Sequence, residues 1–378
     1  MLDVSDHRRA VREARRVVVK VGSSSITAPQ GGIDGYRLQA LSTAIAKKWQ
    51  QGTQVVLVSS GAIAAGMTPL GLSRRPKDLA TQQAAASAGQ GSLMASYTQA
   101  MSIHGLTVGQ VLLTADDMHR RSHYVNASRT LERLLELEVV PVVNENDTVA
   151  TEEIRFGDND RLAALVAHLV DADALVLLSD VDALYDGHPR APGTSRIPLV
   201  TSAAQLAEVD ISVTGSAVGT GGMISKVAAA TMSTEEGITV LLTSAEQAHE
   251  ALAGEDVGTC FVPTGPKKSA RRRWLAHASN VRGRLTLDAG AVEAVVQRQT
   301  SLLPVGLTGV EGRFAAGDTV DLCAPDGQVV ARGLVGYTSA ELAPLVGRHL
   351  DVGRQAHGRP RAGSAPRTVV RRDDLVVL

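Results

Sequence analysis

Lysine, glycine and hydroxyl residues follow short apolar runs at several points of this 378-residue chain. Lys20 lies within the apolar run at residues 17–21 (VVVKV), and a Gly-Ser-Ser-Ser segment follows at residues 22–25. A lysine in such a run is costly unless an anion pairs with it or its side chain reaches solvent at a strand edge. Backbone N–H groups and hydroxyls just beyond a strand suit a polyanion. Residues 59–66 (SSGAIAAG) are similar, and they suit either an anion site or a tight strand–helix turn.

Acidic and amide side chains form two further clusters, at residues 144–148 (NENDT) and 156–161 (FGDNDR). Asp147 and Asn159 could bind the ammonium and carboxylate groups of a small substrate, and Asp160 could orient lysine side chains. Asx turns and a helix N-cap are the structural alternative, since Asp and Asn favour both. The two clusters therefore predict either a polar substrate site or a pair of capped turns.

A glycine-rich segment at residues 219–226 (GTGGMISK) precedes a predicted helix. Its glycines, hydroxyls and lysine suit a phosphate cradle, although it has neither the P-loop spacing nor the G-x-G-x-x-G dinucleotide pattern. Ser179 and Asp180 follow another apolar run. Ligands of parallel sheets bind at the carboxyl ends of the strands, so polar residues repeated at these ends predict a binding site there.

Motifs that supply a general base or a metal site do not occur in this sequence. Among the ten histidines one pair, His119 and His123, stands at i, i+4, but it lacks the glutamate of HExxH, and GxSxG is also absent. Phosphorylation of a carboxylate fits this absence, because a glutamate side chain with a pKa of about 4.3 is already ionised at neutral pH. Such a reaction needs positioning and positive charge. Two lysines, backbone N–H groups and Mg²⁺ would supply that charge.

Alternating strand and helix patterns position these residues. Strands apolar on both faces and separated by helices predict an α/β fold, with a mostly parallel sheet sandwiched by helices. The predicted strands are residues 17–21, 54–58, 107–113, 139–143, 174–178 and 238–242. The predicted helices run from Asp34 to Gly52 and over residues 78–104, 126–137, 161–170 and 225–237.

A composition change near residue 265 predicts a second, small and mainly β domain. Pro263, Gly265 and Pro266 precede a basic run at residues 267–273 (KKSARRR). Short alternating runs separated by Gly-rich turns follow it, as is typical of β structure. The predicted runs are residues 284–287, 302–305, 319–322, 329–333, 368–370 and 375–378. We predict a first domain at residues 1–265, a basic linker at 266–278 and the β domain at 279–378.

The overall composition excludes several classes of protein. With 44% hydrophobic and 20% charged residues and a formal charge of −1, the chain is neither disordered nor broadly basic. Two cysteines cannot form a disulfide framework, which favours a reducing compartment. No apolar run is long enough to span a membrane, and the N-terminus lacks the apolar stretch of a secretory signal. These features predict a cytoplasmic protein with no membrane partner.

Six segments, in order, resemble the amino acid kinase family. They are residues 17–25 (VVVKVGSSS), 58–66 (VSSGAIAAG), 144–149 (NENDTV), 156–167 (FGDNDRLAALVA), 177–185 (LLSDVDALY) and 219–226 (GTGGMISK). The C-terminal segments 282–292, 301–314 and 371–378 resemble a PUA domain. The resemblance covers nearly the whole chain, and FGDND and GTGGM discriminate best. Ala183 stands where the family usually has Gly, and Ser225 where it usually has Thr.

The resemblance implies the branch of the family that phosphorylates the side-chain carboxylate of L-glutamate, using ATP as co-substrate and Mg²⁺. The product would be L-glutamyl 5-phosphate, in the first step of proline biosynthesis. The implied partners are L-glutamate, proline as a feedback inhibitor, further copies of the chain in a homo-oligomer, and the next enzyme of proline synthesis.

The resemblance also implies roles for individual residues. Lys20, Lys226 and Asp160 would be catalytic: Lys20 would contact the ATP phosphates, Lys226 would stabilise the transferring group, and Asp160 would hold both lysines. Ser60, Asp147 and Asn159 would bind glutamate. The residues that would bind ATP are Lys20, Ser179, Asp180, Thr220, Gly221, Gly222, Met223, Ile224, Ser225 and Lys226.

Two alternatives remain at this stage. Acetylglutamate, aspartate or uridylate kinases share the fold and the lysines, but FGDND and the PUA-like tail argue against them. An RNA-binding or RNA-modifying protein is the other alternative, since PUA domains elsewhere bind RNA and residues 267–273 are basic. The near-neutral chain and the absence of aromatic clusters weigh against it.

Overall fold

Apolar, β-branched runs form the strands of a mostly parallel sheet in the larger part of the protein. The computed structural model describes residues 4–28, 32–149, 159–188, 191, 193–207, 222–265, 275, 281–346 and 368–378. The chain forms two compact units, Met1–Lys268 and Ser269–Leu378, and each is described by itself.

The first unit contains an eight-stranded sheet in the order β3-β4-β2-β1-β5-β7-β8-β6. The first six strands in this order are parallel, whereas β8 runs antiparallel to β7 and pairs in parallel with β6. The α/β prediction is therefore confirmed. The strands are β1 (Arg16–Val21), β2 (Gln54–Ser59), β3 (Thr107–Leu113), β4 (Val139–Glu145), β5 (Ala174–Ser179), β6 (Leu199–Val200), β7 (Thr239–Ser244) and β8 (Thr259–Phe261).

Ten helices of the described part of this unit surround the sheet. They are α1 (Val4–Arg12), α2 (Gly35–Gln50), α3 (Ala62–Met67), α4 (Leu79–Ser102), α5 (Ala115–His119), α6 (Arg121–Glu136), α7 (Asn159–Leu169), α8 (Ala203–Ala207), α9 (Met223–Thr234) and α10 (Ala248–Ala253). Alternate residues of β1 face opposite layers. Val17, Val19 and Val21 pack in a core that includes Leu41 of α2, whereas α7 packs against the other face.

Polar caps fix the ends of the longer helices. Asp34 caps α2 by accepting hydrogen bonds from the backbone N–H groups of Tyr36 and Arg37, as its position before the apolar repeat predicts. Asp78 caps α4 in the same way, through the N–H group of Thr81. The helix predicted to begin at Asn126 instead begins at Arg121. No described side chain caps this helix, so its start has no capping signal in the sequence.

Helices α3 and α4 approach each other through two glycines. A Cβ atom on Gly89 would lie 1.9 Å from the carbonyl oxygen of Ala62, and one on Gly66 would lie 1.9 Å from that of Ala85. Neither position has room for a side chain, so the two backbones are in direct contact. This contact fixes α4 relative to the turn that follows β2.

The first helix of the chain, which the sequence patterns do not predict, is held by a buried arginine. Arg8 is 1% exposed and donates hydrogen bonds to the carbonyl groups of Pro198, Val257 and Gly258 at 3.1–3.3 Å. Its guanidinium also pairs with Asp256 at 3.0 Å. These contacts join α1 to the β8–β6 edge of the sheet.

The second unit is a five-stranded sheet in the order β10-β9-β11-β12-β13. The run predicted at residues 302–305 is not a strand, since Pro304–Gly306 form a short 3-10 turn. Proline lacks the N–H group that a β ladder needs, which explains the difference. The elements are β9 (Val281–Leu287), α11 (Ala289–Val296), β10 (Leu307–Gly312), β11 (Thr319–Cys323), β12 (Val329–Val335), α12 (Ser339–Leu342) and β13 (Val370–Val377).

No helix in the described parts of the chain has both the length and the apolar character needed to cross a membrane.

Candidate active site

The central strand of the parallel sheet carries a buried lysine. β1 lies between β2 and β5, and Lys20 is in register with Val58 and Leu177. Only 5% of Lys20 is exposed, and Val19 and Val21 beside it are fully buried. Because β1 is not an edge strand, the alternative of a lysine reaching solvent at a strand edge is wrong. A buried ammonium group here requires an anionic partner.

Asp160 is that partner. It lies in the first turn of α7 and is fully buried. Its Oδ1 atom pairs with the Nζ atom of Lys20. Its Oδ2 atom accepts hydrogen bonds from Nζ of Lys226 at 3.1 Å and from Oγ of Ser225 at 2.9 Å. The structure thus brings Lys20, Asp160 and Lys226 together from β1, α7 and α9, in an arrangement that we name the lysine–aspartate cluster.

The electrostatics of this cluster keep Asp160 ionised. Burial alone would raise the pKa of the Asp160 carboxyl, because a low-dielectric interior disfavours a charge. The positive charges of Lys20 and Lys226 outweigh burial, and hydrogen bonds from both act in the same direction. The pKa of Asp160 is therefore lowered from its ordinary value. Two ammonium groups on one carboxylate leave the cluster with a net positive charge.

The chain enters α9 through Gly222, the N-cap residue. Its backbone is extended, and no described side chain caps the helix. A Cβ atom on Gly222 would meet no described atom within 4 Å. Free N–H groups at a helix N-terminus favour anions. Met223 is buried and Ile224 is exposed, whereas Thr220 and Gly221 lie outside the described residues.

A cavity of about 600 Å³ opens at the carboxyl ends of β1, β5 and β7. Ser25, Ser179, Asp180 and Ser244 are among the residues that line it. Ser179 ends β5, and its hydroxyl donates a hydrogen bond to Asp180 Oδ1 at 3.0 Å. The hydroxyl of Ser25 donates to the carbonyl group of Ser179 at 3.4 Å. The loops after β1 and β5 are thereby joined at the edge where parallel sheets bind ligands.

An amide cluster lies at the ends of β2 and β4. The Nδ2 group of Asn159 is within hydrogen-bond distance of Ser59 O and Ser60 Oγ, both at 2.8 Å, and of Asn144 Oδ1 at 2.9 Å. Gly61 has φ +105°, a conformation that favours glycine, so the chain turns sharply between Ser60 and α3. The structure thus brings Ser60 and Asn159 together. Asn159 directly precedes Asp160 in the sequence.

Asn144 near the end of β4 and Asp147 just beyond it are further polar residues at this edge of the sheet. Asp147 lies in the turn beyond this strand and is half-buried. Asn144, which sequence reasoning did not select as a site residue, is 2% exposed and accepts the hydrogen bond from Asn159. A buried amide at the end of an otherwise apolar strand is the signal that identifies it, since such a group needs a polar partner.

Carboxylates in the described parts of the chain do not form a metal cage. No group of three or more His, Cys, Asp or Glu residues there is arranged to hold a metal ion. Both oxygens of Asp160 already face ammonium groups. A metal held mainly by protein carboxylates therefore does not fit the described residues.

Comparison with known proteins shows the family of this chain. The profile described as "Amino acid kinase family" matches residues 15–244, and the one described as "PUA domain" matches residues 283–351. The chain belongs to the amino acid kinase family. The family match contains all three residues of the lysine–aspartate cluster and all three of Ser60, Asp147 and Asn159.

Curated members of the family resemble the chain along nearly its whole length. A protein of Salinispora arenicola named "Glutamate 5-kinase" is 59% identical over 372 residues, covering 98% of this chain and 100% of the relative. A protein of the same name from Streptomyces avermitilis is 58% identical over 377 residues, covering 99% of this chain and 100% of the relative. A carbamate kinase from Giardia lamblia bound to AMP-PNP has a TM-score of 0.50 at 16% identity, covering 66% of this chain and 99% of that structure. This last likeness concerns the fold alone.

Proposed function

We propose that the protein transfers the γ-phosphoryl group of ATP to the side-chain carboxylate of L-glutamate. The products are ADP and L-glutamyl 5-phosphate, in the first step of proline biosynthesis. The observation that carries the proposal is the lysine–aspartate cluster, which lies beside an amide cluster at the carboxyl edge of a parallel sheet. The name shared by the close relatives supports glutamate over acetylglutamate, aspartate or uridylate as the acceptor.

The chemistry of this transfer matches the groups at the site. The glutamate carboxylate, with a pKa of about 4.3, is ionised at neutral pH and needs no general base. Negative charge on the transferring phosphoryl oxygens must instead be stabilised. Asp160 holds both lysines, so their positive charges are fixed in place for the phosphates before ATP binds. Such preorganised positive charge lowers the barrier without a cost of reorganisation.

The two substrates would occupy neighbouring parts of the sheet edge. Ser60, Asp147 and Asn159 would bind the ammonium and carboxylate groups of glutamate. ATP would lie along Ser179 and Asp180 and along the start of α9, residues 220–226, with Lys20 at its phosphates. Mg²⁺ would be held chiefly by the nucleotide phosphates and water, because the described carboxylates form no cage for it.

The wider setting of the reaction follows from the same proposal. Proline, as the end product, would act as a feedback inhibitor. The acyl phosphate product is a reactive mixed anhydride, which suits direct transfer to the next enzyme of proline synthesis. A homo-oligomer fits the family resemblance, and the two buried free cysteines, Cys260 and Cys323, fit a location in the cytoplasm.

A hydroxylamine-trapping assay tests the proposed function. Wild-type protein, ATP and Mg²⁺ should give a hydroxamate with L-glutamate, and none with L-aspartate or N-acetyl-L-glutamate. Lys226→Ala should reduce kcat by about 10²- to 10³-fold, as expected for loss of one charge-stabilising donor. Lys77→Ala, at an exposed lysine, serves as the matched control and should keep wild-type activity. A hydroxamate formed from another acceptor but not from glutamate would overturn the proposal.

A further inference from the structure

We propose that Glu246, just beyond the end of β7, binds the ribose hydroxyl groups of ATP and makes the protein selective for ribonucleotides. The inference rests on the proposed function and adds a specificity-determining residue on its nucleotide side. Two observations carry it. Glu246 lies in the wall of the cavity of about 600 Å³, and its carboxylate has no partner among the described residues.

Strand pairing places Glu246 beside the residues proposed to bind the nucleotide. Ser244 ends β7 and is in register with Ser179, the last residue of β5. Glu246 follows two residues after Ser244, in a short 3-10 turn, and Asp180 directly follows Ser179. All four residues line the cavity. Glu246 therefore belongs to the strand end next to the one that carries the proposed ATP contacts.

Glu246 differs from the other described charged residues of the cavity wall, because those residues are already bound within the fold. Asp34 caps α2 and pairs with Arg37 at 3.4 Å, and Arg37 also donates to the carbonyl group of Ser24 at 2.9 Å. Asp180 accepts a hydrogen bond from the hydroxyl group of the preceding serine. Glu246 is exposed and forms neither a hydrogen bond nor an ion pair with a described residue. Its two oxygens are thus available to donors of a ligand.

The charge of Glu246 limits which part of ATP it can bind. A carboxylate offers only acceptors, so it repels phosphate oxygens and attracts hydroxyl or amino groups. The phosphates have their own partners in Lys20 and Lys226. That cluster borders the cavity, since a Cβ atom on Gly22 would lie 3.9 Å both from Lys20 Nζ and from Oγ of Ser24 in the cavity wall. Opposite charges therefore orient ATP along the edge of the sheet.

Strand spacing favours the ribose over the adenine base as the partner of Glu246. In the sheet order β7 is two strands from β1, which corresponds to about 10 Å. When the terminal phosphate lies at Lys20 on β1, an extended triphosphate chain covers a comparable length. The sugar then reaches the end of β7 and the base lies beyond it. A carboxylate at the carboxyl end of a parallel strand is also the partner that ribose has in dinucleotide-binding sheets.

A comparison of ATP with 2′,3′-dideoxy-ATP in the hydroxamate assay tests this role. In wild type, loss of both hydroxyl groups should raise the nucleotide KM by about 10- to 100-fold, as expected for hydrogen bonds to a charged group. Glu246→Ala should raise the KM for ATP by a similar factor and leave that for the dideoxy analogue within about twofold, and Glu246→Gln should be intermediate. The KM for glutamate and the melting temperature should not change. Glu255→Ala, at another exposed glutamate, is the matched control.

Binding measurements without turnover separate this inference from the proposed function. The Kd values of ADP and 2′,3′-dideoxy-ADP, measured by calorimetry with Mg²⁺ present, should show the same pattern without any acceptor substrate. Equal weakening of both nucleotides in Glu246→Ala, or an unchanged Kd for ADP, would overturn the inference. Lost discrimination against ITP, which lacks the amino group of adenine, with the ribose preference retained, would assign Glu246 to the base and also overturn it. Wild-type protein that keeps the ribose preference but gives no hydroxamate from glutamate would instead overturn the proposed function.

Discussion

At the residue scale, the carboxylate of Asp160 offsets the positive charge of the two buried lysines. It is the common partner of two buried ammonium groups, and removing it would break both ion pairs. Breaking a buried ion pair in this way costs about 3–5 kcal/mol of unfolding free energy. Asp160 is therefore required both to hold the lysines and to make their burial tolerable.

The pH dependence of stability is expected to report on Asp160. Because its pKa is lowered in the folded state, its contribution is present above the ordinary Asp pKa of about 3.9 and is lost as pH falls through the lower folded value. The unfolding free energy of Asp160→Asn should be lower than that of wild type at pH 7, and it should change less with pH below about pH 4. Glu255→Gln, at an exposed carboxylate, is the control in urea denaturation at several pH values. If the unfolding free energy of Asp160→Asn falls with decreasing pH as steeply as that of wild type, this assignment is wrong.

Substrate discrimination by charge is expected to depend on Asp147. Replacing the carboxylate with an amide in Asp147→Asn removes a charge that would pair with the glutamate ammonium group. The KM for glutamate should rise by about 30-fold, which corresponds to about 2 kcal/mol, the lower end for a charged pair, because Asp147 is half-buried. The KM for ATP should not change. A raised KM for ATP with an unchanged KM for glutamate would place Asp147 on the nucleotide side instead.

Sequence patterns predict the charged residues of the site better than its amides. Lys20 is noticeable because it interrupts an apolar run, and Asp160 because it belongs to a dense polar cluster. The ion pair between them requires contact between β1 and α7. The predicted order of strands and helices leads us to expect this contact. The orientation of Asn144 and Asn159 has no sequence signal, because it arises from contacts between side chains on different elements.

At the element scale, apolar periodicity and capping residues predict the strands around the site and the start of α2. The end of β2 and the beginning of α3 are similarly marked by the Ser60–Gly61 turn. The close approach of α3 and α4 is not predictable in this way, since a glycine in a helix is compatible with many packings. Similarly, Pro304 is the residue that distinguishes the 3-10 turn at 304–306 from the strand that the apolar pattern favours.

Two neighbouring glycines of α4 provide a matched test of that helix contact. In Gly89→Ala the new Cβ atom would lie 1.9 Å from Ala62 O and 2.3 Å from Gly66 N, so the helices must separate. We expect a loss of about 1–3 kcal/mol in unfolding free energy, together with a higher KM for glutamate. Gly91→Ala has no atom within 4 Å of the new Cβ and should gain about 0.5–1 kcal/mol. Equal melting temperatures for the two variants would refute the contact.

At the scale of the whole molecule, every residue proposed for catalysis or binding lies within the first unit. That unit has its own eight-stranded sheet and core, and the second has a separate five-stranded sheet and core. We propose that the kinase domain ends near residue 265 and that residues 266–278 link it to the PUA-like domain.

A truncated chain ending at Lys268 is therefore expected to fold and to form hydroxamate from glutamate. Its kcat should remain within about tenfold of the full chain, because no proposed site residue is removed and a chain of this length can bury its own core. Differences would appear in proline inhibition or assembly. Melting temperature and acyl phosphate formation, measured beside the full chain, check this. A folded truncation without activity would show that the second unit contributes to the site.

The lysine–aspartate cluster also has a consequence for how the chain reaches its native state. Its three charged groups come from segments that are far apart in sequence, and none of them can be desolvated at low cost before the others arrive. Closing such long loops is slow relative to local helix formation. We therefore expect catalytic activity to return later than helical content during refolding, since the three charges can be buried together only after the sheet has assembled.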